Sequence, residues 1–188
     1  MRNNIVTIAL LALLPVVSGC VAVAAGGVAA GVMVAEDRRT VGTMTEDQGI
    51  ELRAASRIAE KVKDAHINIT SYNRVVLLTG EVPTEAAKAE AERIARAVDN
   101  VRSVFNELQV SGNSSLQART NDSVITSKVK ARFVDAGKFS PLHVKVVTEN
   151  GVVYLLGLVK RQEAADATEV ARTTGGVRKV VRVFEYLD

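Results

Sequence analysis

The sequence predicts an α+β protein built from two tandem copies of one unit, each running helix, strand, strand, helix, strand. Three observations predict it. The chain matches itself at a shift of 77 residues: Val75-Val76-Leu77-Leu78-Thr79-Gly80-Glu81-Val82 aligns with Val152-Val153-Tyr154-Leu155-Leu156-Gly157-Leu158-Val159, which puts Gly80 on Gly157 and His66 on His143. Within each copy, two stretches repeat apolar residues at helical spacing and three read as strands. Asn150-Gly151 lies between two apolar runs and is the strongest short hairpin signal in the chain.

In the first copy, Thr45 with Gln48 three residues on has the form of a capping box and predicts a helix over 45–63, with Leu52, Ala55, Ile58, Ala59 and Val62 on one face. Residues 66–70 alternate as a strand, the polar turn 71–74 is built around Asn73, and 75–80 is the second strand. Pro83-Thr84 opens a second helix over 85–98, rich in Ala and Glu. Asp99-Asn100 stops it, and 101–110 is the last strand. In the second copy, Asp122 or Ser123 caps a helix to Ala136. Strands 142–148 and 152–158 flank the turn 149–151, a helix covers 161–173, Gly175-Gly176 stops it, and 177–186 is the final strand. Two helices on one face of a three-stranded sheet bury one stripe of every element, a layered α+β solution. Gly80 and Gly157 come where a buried strand turns toward a helix, so both are assigned a role in the fold. A phosphate-cradling loop needs several glycines at fixed spacing, and neither site has them.

Composition narrows the function. Aromatic residues are 4% and Trp is absent, so the cores are aliphatic; the single Cys rules out a disulfide framework. The net charge of +3 is modest and does not call for nucleic acid as a partner. Its distribution is uneven. Residues 21–120 carry 12 Lys and Arg against 13 acids, whereas residues 121–188 carry 11 against 8, so the basic character lies in the second copy.

At the N-terminus, Arg2 precedes the uncharged run 5–17, and the small pair Ser18-Gly19 stands directly before Cys20. Val17-Ser18-Gly19-Cys20 resembles the bacterial lipobox. That resemblance implies that residues 1–19 are removed and that Cys20 carries the lipid. The rival reading is a spanning helix with an incidental Cys, because the apolar run continues over 21–35. Gly26, Gly27 and Gly31 weaken it, being poor helix formers. Residue 21 is Val rather than the Asp that retains many lipoproteins at the inner membrane, which favours the outer membrane.

Each copy resembles a BON domain, through the apolar strand carrying Gly80 or Gly157, the Ala-rich helix after it, and the turn into the last strand. Lipobox, short tether and two BON units together resemble a family of Gram-negative outer-membrane lipoproteins, the DolP (division and outer membrane stress-associated lipid-binding protein) family. The stretch 37–43, Asp-Arg-Arg-Thr-Val-Gly-Thr, is similar to that family's tether. The chain then divides into a signal peptide (1–19), lipidated Cys and tether (20–44), first BON domain (45–111), linker (112–120) and second BON domain (121–188).

Catalytic machinery is not expected. His66 and His143 occupy equivalent positions, which points to architecture rather than to a catalytic pair, and Gly-x-Ser-x-Gly and His-Glu-x-x-His motifs do not occur. Glu85, Glu90 and Glu92 belong to solvated helix faces. Neither a cofactor nor a metal is expected.

The first helix of the second copy is the candidate binding surface. Ile125, Val129, Phe133 and Ala136 form its buried stripe; the opposite side presents Val124, Ser127, Ala131 and Val134 between Lys128 and Lys130, and residues 123–134 contain no acid. A small apolar ridge between cations suits an anionic lipid surface. It also suits a helix that packs Val124 or Val134 against the other unit while its lysines solubilise. The resemblance favours the first reading, because the family binds anionic phospholipid through this helix. Carried over, it assigns phospholipid contact to Val124, Ile125, Ser127, Lys128, Lys130, Ala131 and Val134. Val124 stands where relatives have a Trp, a departure that predicts shallower binding. The implied role is envelope integrity, with action at division sites and envelope or division proteins as further partners. The alternative is a protein-interaction adaptor that meets lipid only through Cys20.

Overall fold

The computed structural model describes residues 37–188. The lipobox, Cys20 and the tether to residue 36 lie outside the described residues. Two helices and a sheet make up each half. The first half consists of α1 (Val41–Lys61), β1 (His66–Tyr72), β2 (Val75–Val82), α2 (Glu85–Arg96), β3 (Ser103–Asn106) and β4 (Gln109–Val110). The second consists of α3 (Leu116–Ala136), a 3-10 turn Pro141–His143, β5 (Val144–Glu149), β6 (Val152–Val159), α4 (Arg161–Arg172) and β7 (Lys179–Tyr186).

In both sheets the middle strand is the second in sequence. β2 pairs antiparallel with β1 and parallel with β3 and β4, while β6 pairs antiparallel with β5 and parallel with β7. Helices α2 and α4 make the crossovers that parallel pairing requires. Along β2, Val76, Leu78 and Val82 enter the core under α1 and α2 with Ile50, Ala54 and Ile58. The alternate residues Val75 and Leu77 face the other way, and with Tyr72 they meet Tyr154, Leu156 and Val183 of the second half. The two sheets therefore stack through the faces their own helices leave uncovered. This explains why β2 is buried along its whole length and reads as a continuous apolar run. Asn68 to Glu149 at 2.7 Å, Asn73 to Glu185 at 2.9 Å and Lys145 to Glu51 at 3.2 Å fix the seam. Arg38–Asp188 thus form a single compact unit.

Several boundaries differ from the expectation. Helix α1 starts four residues earlier than predicted. Its cap is Thr40, whose hydroxyl accepts from Thr43 N at 3.1 Å, while the Thr45 hydroxyl donates back to Val41 O. Helix α3 starts at Leu116, capped by Ser115, so most of the predicted linker is helical. The reason is that Asp122 does not cap the helix. It is buried on α3 and its carboxylate accepts from the backbone N–H of Asn150 and Gly151 at 2.7 and 2.8 Å. Asp47 of α1 does the same for the first hairpin, accepting from Asn73 N, Arg74 N and the Ser71 hydroxyl. Both hairpin turns place two residues at positive φ, Asn73 with Arg74 and Asn150 with Gly151, as a type I′ turn demands. Residues 142 and 143, predicted as strand, belong to the 3-10 turn. The last strand of the first half is interrupted at residues 107 and 108, where the Asn106 side chain accepts from Leu108 N and Leu108 turns fully into the core.

Gly80 and Gly157 lie inside β2 and β6, two residues short of their ends. A β-carbon at either position would collide with the backbone carbonyl oxygen of His66 or His143, and Gly80 also has φ +111°. Close approach of two strands is what these glycines permit.

Candidate lipid-facing site

Helix α3 is positioned by its apolar stripe. Ile125, Val129 and Phe133 are nearly fully buried against β5, β6 and α4, and the Phe133 ring meets Phe139 edge to face at 5.0 Å. Gly137 in the left-handed conformation ends the helix. Packing of this stripe turns the opposite side outward. Val124 is 46% exposed and Val134 65%, so neither is consumed by the other half. Ser127, Lys128, Lys130 and Ala131 are exposed between and beside them. The Ser127 hydroxyl is turned back onto Ser123 O at 3.0 Å, which reduces the polarity of the ridge. Neither lysine forms an ion pair with a described residue.

One predicted contact residue is misplaced. Ile125 is 1% exposed and belongs to the core, so it cannot reach a membrane from this face. Helical geometry at 100° per residue puts it on the flank of the buried stripe, not on the ridge. Conversely, Leu116 is 79% exposed on the turn that the sequence reading left in the linker. Two helical turns separate Leu116 from Val124, so the apolar ridge is longer than predicted.

Tertiary structure adds a second feature. Below the C-terminal end of the ridge lies a groove of about 280 Å³ lined by Lys130 and Val134 of α3, by Pro141, Leu142, Val144 and Lys145, and by Arg39 and Tyr72 of the first half. Its cations differ in availability. Arg39 lies over the Tyr72 ring at 3.9 Å and pairs with Asp47 at 2.9 Å, and Lys145 pairs with Glu51. Lys130 is the cation of this groove whose charge no described acid offsets. Arg39, Tyr72 and Lys145 are invisible to a pattern search, since only the packing of two distant segments brings them to α3.

The remaining predicted residues lie elsewhere. His66 and His143 both precede or begin the first strand of their sheets, and each has a carboxylate beside it, Glu81 at 3.2 Å and Glu163 at 3.5 Å. Glu163 is held by Arg38 through two charge-assisted hydrogen bonds of 2.6 and 2.8 Å, and by Lys160 N. These bonds hold its carboxyl down at about 2. No helix among the described residues is long and apolar enough to cross a membrane.

Comparison with known proteins places this geometry in a family. Residues 46–112 and 121–188 each match the BON domain. Over 173 residues, covering 90% of both chains, the sequence is 40% identical to "Outer membrane lipoprotein DolP" of Haemophilus influenzae (strain ATCC 51907 / DSM 11121 / KW20 / Rd). It is 35% identical to the "21 kDa hemolysin" of Actinobacillus pleuropneumoniae, over 80% of this chain and 79% of that one. It is also 32% identical to "Osmotically-inducible protein Y" of Escherichia coli (strain K12), over 80% and 78%. Two BON matches, the stacked repeat and identity along nine-tenths of both chains agree: this chain belongs to the BON-domain family of outer-membrane lipoproteins that includes DolP.

Proposed function

We propose that the protein is a non-catalytic, lipid-anchored component of the periplasmic face of the outer membrane whose α3 face recognises anionic phospholipid. The supporting observation is the exposed ridge Val124–Ala131–Val134 beside two lysines without acidic partners among the described residues. Apolar tips enter the acyl boundary while ammonium groups meet headgroup phosphates. Each lysine near such a surface contributes about 1 kcal/mol. With Val at 124, the contact is shallow and electrostatics carry a larger share of it. Cys20 supplies the anchor, and the α3 contact selects where along the membrane the anchored protein resides, supporting envelope integrity and action at division sites.

The test uses residues 36–188, free of the anchor, sedimented with neutral or anionic vesicles at two salt concentrations. Binding to anionic vesicles alone, weakened by salt and by Lys128→Glu with Lys130→Glu, is the expected result. Equal binding to both vesicle types, or none to either, contradicts it.

A second reading, the envelope adaptor, draws on the first half. Among the described residues, strand β1 has β2 as its single strand neighbour, and beside it a groove of about 430 Å³ is lined by Leu52, Ala55, Ile67 and Ile69. Leu52 is 73% exposed. An extended segment of a partner protein would add to this edge as a further strand. Under that reading the double Lys→Glu variant leaves partner binding intact, whereas Ile67→Lys abolishes it.

A further inference from the structure

Three ionisable side chains meet at the seam between the halves. His66 and Glu81 are direct cross-strand partners on β1 and β2, and Glu149 reaches them from the end of β5. One donor atom from each lies within 4.8 Å of the other two. Glu81 is 1% exposed and Glu149 6%. The Oε2 atom of Glu81 faces His66 Nδ1 and accepts from Ser114 N at 3.1 Å, but its Oε1 atom is buried without a hydrogen-bond partner among the described residues. Glu149 accepts one bond, from Asn68. A solvent-connected cleft of about 240 Å³, lined among others by His66, Glu149 and Arg119, gives access to the cluster.

The fold does not require these carboxylates. At the shift of 77, Leu158 of β6 occupies the position of Glu81, and Tyr72 of β1 that of Glu149. One half therefore builds the same strand position with an apolar residue, while the other buries a carboxylate that is incompletely hydrogen-bonded. Two buried carboxylates within reach of one another repel when both are ionised, and a cation between them relieves that repulsion.

We propose that His66, Glu81 and Glu149 bind one first-row divalent transition-metal ion, of the Zn²⁺ class, across the seam between the two BON halves. One imidazole with two carboxylates is a donor set of that class, with water completing the coordination. Donors on such an ion stand about 3–3.5 Å apart, given metal–ligand distances of about 2.0–2.2 Å. The observed donors, all within 4.8 Å of one another, reach that spacing by side-chain movement. Mg²⁺ and Ca²⁺, which take all-oxygen shells, are poor fits to a site with an imidazole. Because the ligands come from both halves, the ion acts as a staple between them, and it leaves the α3 ridge untouched.

The experiment uses the full lipidated chain in detergent, stripped with chelator and titrated with Zn²⁺ by calorimetry and with Co²⁺ by visible absorption. One ion per chain is expected, together with a rise of several degrees in thermal midpoint that a large excess of Mg²⁺ does not reproduce. Glu81→Gln and Glu149→Gln each weaken binding by more than the roughly 10- to 100-fold that loss of an outer-shell partner costs. His143→Ala, at the equivalent position of the second half, binds like the parent. Glu81→Leu, which copies the residue at the matching position of β6, keeps the fold and loses the thermal response to Zn²⁺. The proposal is overturned by a parent chain with neither saturable binding nor Co²⁺ ligand-field bands, whatever the variants do. Binding that survives Glu81→Gln and Glu149→Gln, or falls equally in His143→Ala, overturns it as well.

Discussion

Single residues carry tasks that repeat position does not reveal. Arg38, directly ahead of α1, grips Glu163 of the second half with two hydrogen bonds and donates a third to Leu158 O. The carboxyl of Glu163 is thereby held at about 2, against an ordinary value of 4.5. A depressed folded pKa means that the stabilisation is fully present above the unfolded value and is lost as pH falls through the folded one. Arg38→Ala should therefore cost about 2 kcal/mol at pH 7. The gap to the parent should close between about pH 4.5 and 2, as read by denaturant melts across that range. Gly80→Ala is expected to cost more, about 3 kcal/mol or above, because a β-carbon at φ +111° is strained and also meets the His66 carbonyl. Gly175→Ala, in open space, should be close to neutral in the same melts.

At the scale of elements, the hairpin clamp sets helix against strand in each half. Asp122→Ala removes the acceptor for two backbone donors and should destabilise by about 2–4 kcal/mol, with Asp47→Ala at least as costly because it serves three donors and Arg39. Thermal denaturation of both variants checks this. The order and type of the elements were legible in the sequence because strand runs such as 75–82 and the Asn150-Gly151 turn are local signals. Helix starts were not. Asp122 has the look of a cap, yet its side chain serves a turn 28 residues away, and the real caps, Thr40 and Ser115, sit in stretches with no apolar periodicity of their own. The same cause split the site. Val124, Ser127, Lys128, Lys130, Ala131 and Val134 were readable from helical spacing. The same spacing put Ile125 in the buried stripe, where it lies, and only the family resemblance made it a contact residue; Leu116 required the true start of the helix.

For the whole molecule, the stacking of the two sheets decides what each face has left to offer. The sheet faces away from the helices are consumed in the seam around Leu77, Tyr154 and Leu156, leaving helix faces and outer strand edges as the surfaces for partners. This seam was not legible in either repeat, since an apolar strand buried on two faces has the same pattern whatever covers it. Leu77→Ala, at a position with no exposure, should cost about 2–5 kcal/mol and lower the melting cooperativity of both halves together. Separate transitions for the two halves in calorimetry of the parent would contradict a shared core. The α3 ridge remains outward on this assembly, on the basic half of the chain, next to a groove to which both halves contribute.

The central claim, that the α3 face recognises anionic phospholipid, is tested most directly residue by residue. Backbone amide NMR of residues 36–188, titrated with nanodiscs of anionic lipid, should shift and broaden Leu116, Val124, Ser127, Lys128, Ala131 and Val134, and leave Leu52, Ile67 and Ile69 unchanged. Neutral nanodiscs should move none of them. Perturbation confined to the β1 edge and the α1 groove, or identical with neutral lipid, would contradict the account.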